Sequence, residues 1–414
     1  MTLLRTSILS LLATLAKMLS ALAINKAVAL FIGPAGLALI GQFQNFMQLT
    51  FTVAQGAINT GVVKYTAQYG QDPKQLSVLF GTALRISIGS SVAVGLALAF
   101  FSDFLAIRVL KSDEYAYLFT LLVLFLILAV INNLLLSILN GLKEIRTWIL
   151  INIIQSAYSL FYVTALIYFF KLHGALVALV THQALIFVIV LWMLRRHPIL
   201  TLKAFKQPFS SAEGKKLLHF AAMAVTSAAT VPMAQLVIRE YLGRNLGWDS
   251  AGYLQAMWYI SNIYLTVVTT TLAIYYMPRL SEITDKSELR KELKNGYLLI
   301  MPIVTAMAVC IYALRDLIIS VLFSAEFIAM RGLFLWQLLG DVIKLAALLL
   351  AHLMLAKALT KSYIVTEIAF NVIYVLLSIL LISRHGLIGA TFAYAITYAL
   401  YGAALLPITR RVRT

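Results

Sequence analysis

The stretch YLFTLLVLFLILAVINNLLL, residues 117–136, decides the fold class of this 414-residue chain. It contains no charged residue, and the stretch Val78–Phe101 is nearly as apolar, with Arg85 its one charge. A helix needs about 20 such residues to cross ~30 Å of hydrocarbon. Neither stretch alternates polar and apolar residues as a membrane β-barrel strand does. The chain is therefore predicted to be an all-α polytopic membrane protein.

The overall composition supports the same fold class. Hydrophobic residues make up 62% of the chain and charged residues 12%. Soluble domains carry roughly 45–50% apolar residues and about 25% charged residues. The single cysteine, Cys310, allows neither a disulfide within the chain nor a cysteine metal cluster. The sequence has no Walker-type glycine loop. We expect no enzyme activity, no catalytic residues, no metal and no cofactor.

Apolar runs separated by charged or Gly/Pro turns predict about twelve transmembrane helices. Their approximate spans are 8–32, 37–62, 78–101, 117–138, 148–170, 174–194, 219–241, 252–277, 297–322, 333–356, 363–383 and 387–408. The longest connection is the basic segment Arg195–Leu218.

The orientation in the membrane follows from the distribution of Lys and Arg, which concentrate in cytoplasmic loops. With the N-terminus inside, 21 of these residues fall in cytoplasmic segments and 6 on the opposite face. Both termini are therefore predicted to be cytoplasmic, in the inner membrane. The net charge of +17 reflects this asymmetry and attraction to anionic membrane lipids, so no nucleic-acid partner is inferred.

The sequence repeats itself weakly at about half its length. KLHGAL at 171–176 precedes span six, and RHGLI at 384–388 precedes span twelve, an offset of 212. Ala35-Gly36 and Ala251-Gly252 are offset by 216. We predict two pseudo-symmetric six-helix lobes, residues 1–206 and 207–414, around a central cavity. Transporters with such parallel repeats hold substrate at the repeat interface and expose it alternately to each side.

Two predicted spans carry matching polar stripes. Span two contains Asn45, Gln48, Thr52, Gln55 and Asn59, and span eight contains Gln255, Tyr259, Asn262, Thr266 and Thr269. At 100° per residue the first set occupies about 80° of one helix face. Amides and hydroxyls donate and accept hydrogen bonds, which suits a sugar-sized polar ligand. The alternative is polar contact between packed helices.

Charged residues inside spans are costly and usually mark function. The basic ones are Lys17, Lys26, Arg85, Arg239, Arg315 and Lys344, and the clearest acidic ones are Asp341 and Glu367. Asp341 and Lys344 are spaced to form an i,i+3 ion pair, and the arginines are expected to snorkel toward an interface. Lys17 and Lys26 have no such explanation and are candidates for binding an anionic ligand. Nine residues apart, they share a face only if the helix bends.

Several segments resemble Wzx-type polysaccharide flippases of the multidrug/oligosaccharidyl-lipid/polysaccharide exporter (MOP) superfamily. They are FIGPAGL at 31–37, GQFQN at 41–45 and NTGVVKYTAQY at 59–69. WQLLGDVIK at 336–344, together with Lys17 and Lys26, resembles the enterobacterial lipid III flippase and O-antigen translocase branch. The resemblance spans nearly the whole chain, and its motifs are structural.

The resemblance implies a flippase. Such proteins move undecaprenyl-pyrophosphate-linked oligosaccharide from the cytoplasmic to the periplasmic leaflet, for O-antigen or enterobacterial common antigen assembly. Lys17 and Lys26 would then face a cationic cavity between two lobes. Candidate substrate-binding residues are Lys17, Lys26, Asn45, Gln48, Gln55, Asn59, Arg239, Gln255, Tyr259, Asn262 and Lys344. A polysaccharide polymerase and a chain-length regulator are the protein partners that the resemblance suggests.

Two other functions remain open at this point. A multidrug cation antiporter of the same fold would use unpaired cavity carboxylates, with Asp341 and Glu367 as candidates, whereas the buried charges here are mostly basic. A membrane scaffold of a polysaccharide-synthesis complex would need no polar stripes. Coupling of transport to H⁺ or Na⁺ also stays open, as do the sugar composition and the oligomeric state.

Overall fold

The computed structural model describes residues 3–70, 72–195, 197–272, 276, 279–280, 283, 285–356 and 360–413. Within these ranges every regular element is a helix. The α-helices are α1 Leu3–Phe31, α2 Gly33–Ala54, α3 Asn59–Tyr69, α4 Pro73–Phe100, α5 Ser102–Leu105, α6 Ala116–Gly141, α7 Ile145–Leu194, α8 Ser211–Leu246, α9 Trp248–Thr271, α10 Lys286–Ala313, α11 Arg315–Leu322, α12 Phe334–Ala356, α13 Thr360–His385 and α14 Ile388–Arg413. A π-helical turn covers Ala106–Leu110, and 3-10 turns cover Asp113–Tyr115, Leu202–Phe205 and Ala325–Leu333.

Seven of the described helices are long and apolar enough to cross a membrane, and α8, which bends by 42°, makes an eighth. One of the seven, α7, has 50 residues, enough for two crossings. Fewer helices meet this criterion than the twelve predicted spans, in part because predicted spans five and six form the single helix α7. The predicted fold class, an all-α polytopic membrane protein, is confirmed.

Predicted spans five and six meet without a loop inside α7. Lys171 breaks the helix with φ 49° and ψ −124°, and φ in this region is uncommon for residues other than glycine. Three residues later, a Cβ atom on Gly174 would lie 1.9 Å from the carbonyl oxygen of Leu166. Glycine is therefore required for the two halves of α7 to pass each other closely.

The same turn recurs 215 residues later, between α13 and α14. Gly386 has φ 64°, and a Cβ on Gly389 would lie 2.1 Å from the carbonyl oxygen of Leu381. The turn between α1 and α2 likewise has a counterpart between α8 and α9, since Gly33 and Gly247 both have positive φ. The local backbone thus repeats in both halves, although at the turn of Lys171 and Gly386 the offset is 215 residues and not the 212 read from the sequence.

Predicted span two is not one helix. The backbone leaves the helix after Ala54 and has positive φ at Gly56 and Ala57 before α3 begins at Asn59. A Cβ on Gly56 would lie 2.7 Å from a methyl group of Ile86 on α4. The continuous helix predicted for 37–62 was wrong, because this close approach between helices cannot be read from local sequence.

The described chain divides into two compact units. One contains residues 1–32 and 39–232, and the other contains 33–38 and 233–414. The predicted lobe boundary between residues 206 and 207 lies earlier, because the start of α8 packs in the first unit. Leu217 is fully buried in a core with Ile58 and Leu76, and the second unit has a separate core that includes Trp258 and Tyr374.

Candidate functional site

A cavity of about 330 Å³ lies within the first unit. Residues of α2, α6 and the second half of α7 form its wall: Gln44, Met47, Gln48, Phe51, Thr52, Gln55, Asn133, Leu179, His182 and Gln183. Five of these side chains are amides, and none carries a formal charge when histidine is neutral. This volume is at the lower end of the ~300–1,000 Å³ typical of small-molecule sites. The wall can form hydrogen bonds but offers no ion pair.

Three members of the first polar stripe, Gln48, Thr52 and Gln55, lie on this wall. Asn59 begins the next helix and so leaves the predicted common face, yet its amide still donates a 2.5 Å hydrogen bond to Gln55 Oε1. Asn45 instead donates to the carbonyl oxygen of Pro232 at 3.4 Å. The structure therefore brings part of the stripe to one cavity, and the role of these residues in substrate binding stays a prediction.

Sequence reasoning missed the opposite wall. Asn133 belongs to the apolar stretch 117–136, and His182 and Gln183 belong to predicted span six. Asn133 Nδ2 donates to Gln183 Oε1 at 3.3 Å, which joins α6 to α7 at the cavity. The available signal was three hydrogen-bonding side chains inside apolar spans. No stripe periodicity singled them out.

The two lysines of α1 differ in environment. Lys17 is exposed and Lys26 is half-buried. Because α1 runs without a break from Leu3 to Phe31, their separation of nine residues places them on opposite sides of the helix. Neither lysine lies on the wall of the 330 Å³ cavity. In this unbroken helix the two lysines do not share a face, and their role in substrate binding stays a prediction.

Arg239 is fully buried in the second unit, although it was expected to snorkel toward an interface. Its Nη2 donates a 2.6 Å hydrogen bond to Gln255 Oε1, and its guanidinium carbon lies 5.4 Å from the centre of the Trp258 ring. That expectation was wrong, because α8 and α9 supply an amide and an aromatic face within reach of the side chain. Gln255, the first member of the second stripe, is occupied by this contact.

The rest of the second stripe runs from the protein interior to an exposed end. Tyr259 is half-buried, while Asn262 and Thr266 are exposed. The Thr266 hydroxyl donates to the Asn262 carbonyl oxygen at 2.5 Å, a bond within the helix. Within this stripe the Asn262 side chain is exposed, whereas Gln255 is engaged by Arg239.

Asp341 on α12 is fully buried and surrounded by donors. Its Oδ2 accepts hydrogen bonds from the Ser261 and Tyr264 hydroxyls at 2.7 and 2.8 Å. Its Oδ1 accepts from the Tyr394 hydroxyl at 2.8 Å and from the Gln337 amide at 3.4 Å. Buried charge is tolerated only with such compensation.

The predicted i,i+3 pair between Asp341 and Lys344 is not formed. Within the described part of the chain, Asp341 makes no salt bridge, and the Lys344 ammonium lies 5.7 and 5.2 Å from the ring centres of Tyr394 and Tyr398. Glu367 borders a small cavity of about 30 Å³ that Tyr398 also lines. Aromatic faces therefore replace the direct ion pair, since cations are attracted to them.

Comparison with known proteins gives a family match. Residues 27–331 match the polysaccharide biosynthesis protein family. The chain is 30% identical over 403 residues to the lipid III flippase of Escherichia coli (strain K12), which covers 97% of this chain and 96% of that protein. The lipid III flippase of Shigella flexneri matches with the same identity and coverage.

Solved structures give the fold. The inward-facing conformation of a multidrug resistance MATE family transporter of the MOP superfamily matches with a TM-score of 0.80, covering 96% of this chain and 94% of that one. The sequence identity is 16%, so this likeness is one of fold alone. The fold of the chain is that of MATE transporters.

Proposed function

The chain belongs to the polysaccharide biosynthesis protein family, and from this premise we propose that it flips lipid-linked oligosaccharide across a membrane. The substrate is an undecaprenyl-pyrophosphate-linked oligosaccharide, moved from the cytoplasmic to the periplasmic leaflet of the bacterial inner membrane. It serves O-antigen or enterobacterial common antigen assembly. The protein acts by alternating access and makes or breaks no covalent bond.

The uncharged, amide-rich cavity of the first unit carries this proposal. A sugar presents many hydroxyl groups, and each can donate and accept. Amides at Gln48, Gln55 and Gln183 can do the same. A purely structural scaffold would gain nothing from such a cavity inside a membrane unit, because unpaired polar groups are costly there.

Lys17 and Lys26 would supply the charge that the cavity lacks. A pyrophosphate is attracted to an ammonium far more strongly at low effective dielectric than in water. Because the two lysines lie on opposite sides of α1, one of them is expected to act on the substrate more than the other. Lys344, held against aromatic rings, and Arg239, held by Gln255, are weaker candidates for direct contact.

A cation antiporter of the same fold would need accessible carboxylates. The cavity of the first unit has none among its ten wall residues, and the carboxylate of Asp341 is fully buried and bound by hydroxyl and amide donors. These observations favour the flippase. Coupling to H⁺ or Na⁺ through Asp341 or Glu367, and partnership with a polymerase and a chain-length regulator, belong to the same proposal.

Mass spectrometry of the lipid that co-purifies with the protein tests the proposed function. We expect a polyprenyl-pyrophosphate oligosaccharide, depleted in the variant Lys17→Ala, Lys26→Ala and retained in Lys74→Ala, which removes an exposed lysine in the first turn of α4. The double variant should also lower surface polysaccharide at unchanged protein abundance, while arginines at both positions preserve some function. Full surface polysaccharide in the double alanine variant would contradict the proposed role of the lysines.

A further inference from the structure

We propose that the cavity of the first unit binds one uncharged sugar residue, with His182 Nε2 accepting a hydrogen bond from a sugar hydroxyl. The inference rests on the proposed function and deepens it, because it adds a ligand class and a binding residue at the same site.

The hydrogen bonds of His182 fix the role of its second nitrogen. Nδ1 lies 2.9 Å from the carbonyl oxygen of Ala178 and 3.1 Å from that of Leu179. Carbonyl oxygens only accept, so Nδ1 carries the proton, and Nε2 of the neutral ring is an acceptor. Within the described residues Nε2 has no hydrogen-bond partner, and the side chain lines the cavity.

The neighbouring amides complement this acceptor. Asn133 uses both hydrogens of Nδ2, toward the Ala129 carbonyl oxygen at 3.1 Å and Gln183 Oε1 at 3.3 Å. Its Oδ1 therefore remains an acceptor, and the Nε2 group of Gln183 remains a donor. Acceptors at Asn133 and His182 next to a donor at Gln183 match a hydroxyl group, which does both.

The remaining wall suits a sugar ring rather than an ion. Met47, Phe51 and Leu179 supply apolar contacts for its C–H faces. Helices α2 and α6 contain no charged residue, so an acidic sugar would lose its hydration without gaining a partner. Besides Arg5 near the start of α1, the other titratable residues on helices packed beside His182 are Lys17 and Lys26 on α1, Tyr117 on α6, and Arg146, Tyr158, Tyr162, Tyr168, Lys171 and His173 on α7. None of them lines the cavity.

Binding of monosaccharides to the full-length protein in lipid nanodiscs tests the inference. Saturation-transfer NMR would be titrated with N-acetylglucosamine and, separately, with glucuronate, at a pH above the ordinary histidine pKa of about 6.5. We expect N-acetylglucosamine to bind and glucuronate not to. His182→Leu should weaken the neutral sugar about tenfold, the scale of one lost hydrogen bond, and His182→Gln should restore part of it.

His352→Leu is the matched control, because His352 Nδ1 bonds the carbonyl oxygen of Leu348 at 2.8 Å in the same way, in the second unit. It should leave sugar binding unchanged. Thermal unfolding verifies that each variant folds. If His182→Leu does not fold, Gln183→Leu probes the same wall of the cavity. Equal binding by wild type and the wall variant that folds, or equal binding of the two sugars, overturns the inference.

If monosaccharides bind as expected but no lipid-linked oligosaccharide co-purifies, the proposed function fails while the sugar site stands. If the lipid is found but His182 is irrelevant to sugar binding, only the sugar site fails.

Discussion

Tyr394 donates a 2.8 Å hydrogen bond to Asp341, and the face of its ring lies beside the ammonium of Lys344. One side chain therefore meets both charges, with its hydroxyl on the carboxylate and its π face toward the cation. The expected direct ion pair is replaced by an arrangement in which a tyrosine 53 residues away serves both partners. Removing the Tyr394 hydroxyl should consequently take a hydrogen bond from the Asp341 carboxylate and leave the ring beside Lys344.

Tyr394→Phe should destabilise the protein by about 1–3 kcal/mol, because a buried acceptor loses a donor. The measurement is thermal unfolding of the purified protein in detergent, with Tyr168→Phe as control, since Tyr168 is 61% exposed. Asp341→Asn should also destabilise, because its amide NH₂ would face hydroxyl donors. Unchanged melting temperatures in both Tyr394→Phe and Asp341→Asn would mean that the hydrogen bonds around Asp341 contribute nothing to stability.

Cysteine accessibility tests whether the first stripe faces water. In a background lacking Cys310, cysteines at Gln48 and Gln55 should react with a small aqueous thiol reagent, because both positions line the cavity. A cysteine at Asn262 should react as well, since that position is exposed in the second stripe. Leu124, 69% exposed on an apolar helix, is the lipid-facing control and should stay unlabelled. Silence at all three stripe positions would favour polar packing between helices.

The orientation in the membrane remains a prediction from the Lys and Arg asymmetry. Reporters joined after Ala212 and after Thr414 should read cytoplasmic, and one joined after Trp248 should read periplasmic. Alkaline phosphatase and a fluorescent protein report the two sides in opposite ways, so each serves as control for the other. A periplasmic reading at Thr414 would refute the predicted number of crossings.

His197, in the segment after α7, should make stability depend on pH. Burial lowers its pKa below the ordinary value, against a smaller opposing effect of Glu144. The backbone N–H groups of Ile199 and Leu200 donate hydrogen bonds to its Nδ1, each at 3.3 Å. Nδ1 can accept these hydrogen bonds only while it is unprotonated. The unfolded chain takes up the proton first, so stability should fall as the pH drops below about 6.5.

His197→Asn isolates this effect, because asparagine also accepts backbone hydrogen bonds locally but does not titrate. Melting temperatures of wild type and variant should be similar near pH 8 and should diverge as the pH falls, with the wild type losing more. Parallel curves throughout the range would show that His197 does not contribute to the pH dependence.

Local sequence predicted what depends on local periodicity. The positions of most apolar helices, the repeat of the two halves and the stripe formed by Gln48, Thr52 and Gln55 were all readable, because helix geometry alone converts spacing into a common face. The turn at Lys171 was also anticipated, since a charged residue and Gly174 interrupt the apolar run there.

What escaped prediction depends on contacts between distant segments. At the break after Ala54, Gly56 lies close to Ile86 of α4, a contact between separate helices that the local sequence does not predict. Asn133 and His182 reach the stripe only because α6 and α7 pack against each other in one register. The side chain of Lys344 turns from a nearby carboxylate to rings on α14, which i,i+3 spacing cannot anticipate.

Because α8 begins in the core of the first unit and continues past residue 232 into the second, the repeat predicted from the sequence and the unit that packs together have different boundaries. A hybrid gene joined in the loop before Ser211 would give the first unit a foreign Leu217 against its own Ile58 and Leu76. Exchanging halves between relatives should therefore succeed more often with the junction near Pro232, in the middle of α8, than with the junction in the loop before Ser211.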